Sequence, residues 1–182
     1  PLFLILMAIA ALDTKSSPVF VQERMGRFNR PFKMLKIRTM SSDAPANVAT
    51  HKLQGAEGYI SRTGRIMRKL SLDELPQLIN ILKGDMSFVG PRPVVLTETD
   101  LLDLRTKNRS CLVRPGLTGW AQVNGRDNVT VAEKARLDAE YVQMLSFRTD
   151  VRVLVKTVSC VLESKDVREG ANPAITAEEK SA

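Results

Sequence analysis

The chain opens on Pro1-Leu2-Phe3-Leu4-Ile5-Leu6-Met7-Ala8-Ile9-Ala10-Ala11-Leu12, a run without a single charge. A helix on a soluble surface shows one polar face, and this run has none, so it belongs in a core or in lipid. A helical bilayer span needs about 20 apolar residues, and the run is shorter than that. Because Asp13 follows directly, half of a membrane segment is preferred over a buried core helix. No basic flank or initiator methionine precedes it, so it does not read as a signal peptide. A second apolar element runs from Arg148 to Glu163. At helical spacing Arg148, Arg152, Lys156, Ser159 and Glu163 form one narrow polar stripe, with valines and leucines around the rest. Leu154 and Val158 break strict alternation, so a helix is expected over a strand. It would lie deep in a core or in a lipid interface.

The 182 residues suit one domain with a real core, and 43% hydrophobic with 26% charged residues is a globular composition. A net charge of +7 favours polyanionic partners: nucleic acid, anionic lipid or a nucleotide diphosphate. Aromatic residues make up only 5%, which argues against stacking platforms for single strands. No DNA- or RNA-reading signature is present, so no nucleic acid partner is expected. Cys111 and Cys160 are too few and too widely spaced for a disulfide framework or a zinc site. Any triad chemistry would rest wholly on His51, the single histidine, and is not expected.

Turn signals in Met25-Gly26-Arg27-Phe28-Asn29-Arg30-Pro31 predict a hairpin between two short strands, both rich in basic residues. Lys36 and Arg38 at its end are candidates for an anion site, against a merely solvated surface. Residues 41–58 read as a flexible loop. A basic helix follows, with Arg62, Arg65, Arg68 and Lys69 around Ile66, Met67 and Leu70, suited to a membrane surface or to any amphipathic exterior. Thr130 with Glu133 forms a capping box that opens a helix to about Leu145. From Lys165 the polar sequence reads as a flexible tail.

The chemistry concentrates in Ser71-Leu72-Asp73-Glu74-Leu75-Pro76-Gln77 and in Gly84-Asp85-Met86-Ser87-Phe88-Val89-Gly90-Pro91-Arg92-Pro93. Adjacent carboxylates can hold a divalent metal or attack an electrophile, and an arginine fixed between prolines suits a two-point grip on phosphate. The alternative is structural: Ser71 and Glu74 match a capping box for a helix over Leu70–Leu82 that ends at Lys83-Gly84. Pro76 would forgo a backbone hydrogen bond inside that helix, so its start could lie nearer Asp73.

Together with Gln22-Glu23-Arg24, Pro31-Phe32-Lys33, Lys36-Ile37-Arg38-Thr39-Met40, Arg114-Pro115-Gly116-Leu117-Thr118-Gly119-Trp120 and Asn124-Gly125-Arg126, these segments resemble the bacterial sugar transferases. Those are monotopic polyprenol-phosphate phosphoglycosyl transferases. The resemblance spans Pro1 to about Glu163 and lies in the ordered set, not in any single motif. It implies transfer of a sugar-1-phosphate from a UDP-sugar to undecaprenyl phosphate with release of UMP. That is the first membrane step of exopolysaccharide, O-antigen, capsule or glycoprotein glycan assembly. It also implies Mg²⁺, contact with membrane phospholipid, and a place at the cytoplasmic face of the bacterial inner membrane. By the same resemblance Asp73 is the nucleophile, forming an aspartyl phosphosugar, and Glu74 holds Mg²⁺ beside it or accepts a proton. An aspartate is ionised at neutral pH and needs no base. Arg92, Lys36, Arg38 and Arg126 are candidates for phosphate, and Gln122 and Asn124 for the nucleotide. Trp120 reads as core or interface, and Asn124-Gly125 equally as a structural turn.

The expected fold is α+β and helix-rich: a small β-hairpin, amphipathic interfacial helices and an N-terminal re-entrant helix of which the second half is present. Residues 1–12 would be the membrane segment, 13–164 the catalytic domain and 165–182 the tail. Rival readings are a non-catalytic basic membrane-surface module, a nucleic-acid-binding module, and an enzyme whose Asp73 only binds metal while lipid phosphate attacks directly.

Overall fold

A computed structural model describes residues 1–45, 53, 55–125 and 129–162. The fold is helix-rich with little sheet, in line with the α+β expectation. Helix α1 (Leu2–Thr14) leads into an antiparallel hairpin of β1 (Val19–Met25) and β2 (Pro31–Ile37), registered from Val19 opposite Ile37 to Met25 opposite Pro31. The turn lies where the glycine and proline signals put it. A short helix α2 (Ala56–Tyr59) occupies part of the stretch expected as loop; Met40 bridges to Ile60 across it, which gives the segment an anchor. His51 lies outside the described residues.

Helix α3 (Arg62–Lys69) is capped by Ser61, whose hydroxyl accepts from Gly64 N. Next come α4 (Gln77–Lys83), the three-residue strand β3 (Ser87–Val89) and α5 (Thr99–Lys107). Strand β4 (Gly116–Thr118) runs parallel to β3, and is followed by α6 (Trp120–Val123), α7 (Val131–Gln143) and α8 (Phe147–Leu162). Thr130 caps α7 by accepting from Glu133 N, as the capping box predicts.

The expected helix over Leu70–Leu82 does not form as one piece. Ser71 takes left-handed backbone angles (φ 55°) and makes no side-chain cap; Leu72–Glu74 is a single 3-10 turn, and α4 starts after Pro76. The proline decides this, since its nitrogen has no hydrogen to donate and belongs at a helix start.

Three apolar clusters fill the interior. Leu6 and Ala10 of α1 pack on Ile37 and Met67; Val94, Leu101 and Ala135 form a second cluster; Val89, Trp120, Leu137, Tyr141 and Val153 form the third. Both apolar elements from the sequence bury only one stripe. Leu4 and Leu12 of α1 stay exposed, as do Val155 and Val158 of α8, while Val153 is fully buried. Among the described residues, no helix is long and apolar enough to cross a membrane. Glu163 and the tail lie outside them.

Candidate active site

Alternation along the hairpin puts Phe20, Gln22 and Arg24 on the same face as Lys36, because directly paired residues point to one side of a sheet. Asn80, buried within α4, fixes that hairpin from below. Its Nδ2 donates to Lys33 O at 2.8 Å and its Oδ1 accepts from Leu35 N at 3.1 Å. A side-chain amide thus pairs with a strand edge as another strand would, and draws Lys36 toward the Leu72–Glu74 turn.

The loop after β3 supplies Arg92. Gly90 N donates to Thr118 O and Gly116 N donates to Pro91 O, stitching the Pro91-Arg92-Pro93 segment to β4. A side chain at Gly116 would collide with the Gly90 backbone, so this approach requires glycine. Behind the loop, Arg105 donates to Arg92 O at 2.9 Å while its Nε and Nη2 hold Asp138 Oδ2 at 2.8 and 2.6 Å.

These elements enclose a cavity of about 440 Å³, a size suited to small-molecule ligands. Asp73, Glu74, Lys36, Arg38, Arg92 and Gln122 all line it. Glu74 Oε1 accepts from Arg92 Nη2 at 2.7 Å and from Lys36 Nζ at 2.9 Å. Arg38 Nε donates to Ser17 O, and its guanidinium lies over the Phe20 ring. Gln122 Nε2 donates to Leu117 O, leaving Oε1 buried with no partner. Asn124 is not brought to the cavity: it donates to Trp120 O and accepts from Lys156, so the turn reading describes it better. Arg126 lies outside the described residues. Trp120 is core, under Arg152 and Lys156.

The adjacent carboxylates differ sharply. Asp73 is 7% exposed, has no hydrogen-bond partner among the described residues, and meets Lys36 Nζ only at 3.9 Å. Burial pushes its pKa above the ordinary 3.8, against the pull of Lys36 and Arg68 and with the push of Glu74. Desolvation thus outweighs the neighbouring cations and moves Asp73 away from the ordinary aspartate value that the sequence suggests. For Glu74 burial also acts upward, but the charges and hydrogen bonds of Arg92 and Lys36 prevail and hold it well below the carboxylate range.

Sequence reasoning missed further residues that line the cavity: Gln22, Arg24, Glu98 and Lys134. A signal existed for one of them. Lys134 shares the helical spacing of buried Asp138 and Tyr141, so its charge lies on the inward face of α7. The Arg105–Asp138 pair, 33 residues apart in sequence, left no local trace.

Residues 1–164 match the bacterial sugar transferase family. The chain belongs to that family. A sugar transferase of Bacillus subtilis, EpsL, named as uncharacterized, is 42% identical over 91% of this chain and 81% of its own length. The exopolysaccharide production protein ExoY of Rhizobium meliloti is 38% identical, covering 91% and 79%. The UDP-glucose:undecaprenyl-phosphate glucose-1-phosphate transferase of Caulobacter vibrioides is 37% identical, covering 89% and 63%. Each matched segment takes in about nine-tenths of this bacterial sugar transferase.

Proposed function

We propose that this protein transfers a sugar-1-phosphate from a UDP-sugar to undecaprenyl phosphate, with Asp73 as nucleophile. The observation that carries this reading is a buried aspartate, without a hydrogen-bond partner among the described residues, beside a doubly ion-paired glutamate in a cavity ringed by cations. A buried carboxylate without hydrogen bonds is costly, and its lone pairs can accept from a ligand.

An Asp73 oxygen attacks the β-phosphorus of the donor. The new O–P bond forms as the bond from that phosphorus to the bridging oxygen breaks, and the bridging oxygen leaves on UMP. An oxygen of the lipid phosphate then attacks the same phosphorus and displaces the Asp73 carboxylate, giving the lipid diphosphosugar. Lys36 and Arg92 face the phosphates as charge-assisted donors. Glu74, held low in pKa, is a weak proton acceptor, so its work is to hold those two cations in place. Arg38, Gln122 and Arg126 remain candidates for nucleotide contacts.

Mg²⁺ belongs to this proposal. Among the described residues no group of three potential ligands occurs, but Mg²⁺ commonly takes only one or two protein carboxylates, with substrate phosphates and water completing its shell. The free oxygens of Asp73 fit that donor set; Glu74 would join only by releasing Lys36 or Arg92. When bound, Mg²⁺ would neutralise phosphate oxygens and the charge on departing UMP. The exposed apolar side chains of α1, α3 and α8, beside Arg65 and Lys69, support a location on phospholipid at the cytoplasmic face of the inner membrane. A re-entrant role for α1 is part of the same reading.

The test is UMP release in detergent with undecaprenyl phosphate, Mg²⁺ and a panel of UDP-sugars. We expect Mg²⁺-dependent release with at least one donor. Tight, salt-sensitive binding to nucleic acid with no release from any donor would favour the rival binding module.

A further inference from the structure

We propose that the end of the cavity formed by Arg24, Glu98 and Lys134 is the subsite for the sugar ring of the donor, and that it sets which sugar is accepted. The inference rests on the reaction proposed above and adds a place and a chemistry for sugar recognition.

Four segments converge there. Arg24 on β1 donates from Nε and Nη2 to Gln22 Oε1 at 2.9 and 2.6 Å, and from Nη1 to Pro93 O at 3.4 Å. Glu98, just ahead of α5, accepts from Val95 N at 3.3 Å. Lys134 comes from α7 and lines the same cavity. Its ammonium makes no hydrogen bond or ion pair among the described residues. Arg24 donates to Pro93 O, next to Arg92, and Arg92 donates to Glu74, next to Asp73, so these contacts link this part of the cavity to the phosphorus under attack.

The side chains match a hydroxylated ring better than a base. Lys134 only donates, ionised Glu98 only accepts, and a ring bearing hydroxyl or N-acetyl groups offers both partners. Among the described residues lining the cavity, only Phe20 and Phe88 are aromatic. Burial lowers the pKa of Lys134, and burial with the nearby Arg92 charge brings Arg24 down to about 10. Both cations are therefore short of water, and a ligand oxygen would relieve that.

The experiment uses the full chain, with Lys134→Met and Glu98→Gln measured separately against UDP-glucose, UDP-galactose and their N-acetylated counterparts. We expect KM for the preferred donor to rise about tenfold, as loss of one charged hydrogen bond allows. The ratio of kcat/KM between donors should fall toward one, while inhibition by UMP stays within about twofold. Lys134→Arg should recover part of the discrimination, which a merely unfolded variant would not. Unchanged discrimination in both variants, or UMP inhibition weakening in step with KM, would overturn the assignment. If the parent chain releases no UMP from any donor, the underlying reaction fails, and the subsite with it.

Discussion

Asp73 and Asp138 are both buried, at 7% and 1% exposure. In both, burial pushes the pKa upward. Asp138 is met by a two-nitrogen grip from Arg105, and that arginine spends its third contact on the backbone of Arg92. Asp73 has cations near it but none in hydrogen-bonding contact; its neighbour Glu74 takes those contacts instead. One carboxylate is hydrogen-bonded by protein; the other, among the described residues, is not. Pairing, not burial or acidity, separates a carboxylate that holds the fold from one that the fold holds ready.

The largest effect expected from this contrast is on turnover. Asp73→Asn keeps the shape and removes the proposed nucleophile, and should cut UMP release by at least about a thousandfold. Its melting temperature should not fall, since Asp73 makes no hydrogen bond among the described residues. Asp138→Asn should do the reverse in kind: it strands the Arg105 charge and should cost about 3–5 kcal/mol of stability, read from denaturant unfolding. Replacing both partners (Arg105→Met with Asp138→Leu) should recover much of that stability, while UMP release stays impaired because the Arg92 carbonyl has lost its donor.

A smaller effect concerns pH. The Asp73 pKa is raised on folding, so its contribution to stability is present below pH 3.8 and is lost as pH rises through the folded value. Glu74 has a lowered pKa, so its contribution is present above 4.5 and is lost as pH falls. In melts from about pH 2 to 7, Asp73→Asn should gain on the parent as pH rises. Glu74→Gln should lose ground by about 1–3 kcal/mol at neutral pH and close the gap in acid. The same sign for both variants would break the contrast between the neighbours.

What was legible in the sequence was local. Turn residues between alternating runs give the hairpin, Thr130 with Glu133 gives the start of α7, and the polar stripe from Arg148 gives α8. The Asp73-Glu74 pair and the proline-locked Arg92 mark the cavity because their chemistry is unusual where they stand. Illegible features depend on distant partners. Asn80 looks like an ordinary polar residue of a helix until β2 lies against it. Arg105 and Asp138 each read as surface charges until α5 packs on α7. Strands β3 and β4 are too short to show any period, and Ser71 matched a helix cap that Pro76 moved downstream.

The most direct measurement omits the lipid acceptor. Purified protein is mixed with a donor sugar nucleotide and Mg²⁺ alone, and UMP and the intact protein mass are followed together. The account predicts a burst of up to about one UMP per chain and a mass gain of one sugar phosphate, both absent in Asp73→Asn. UMP that appears only after undecaprenyl phosphate is added, with no adduct on the protein, would contradict a nucleophilic Asp73 and point to direct attack by the lipid.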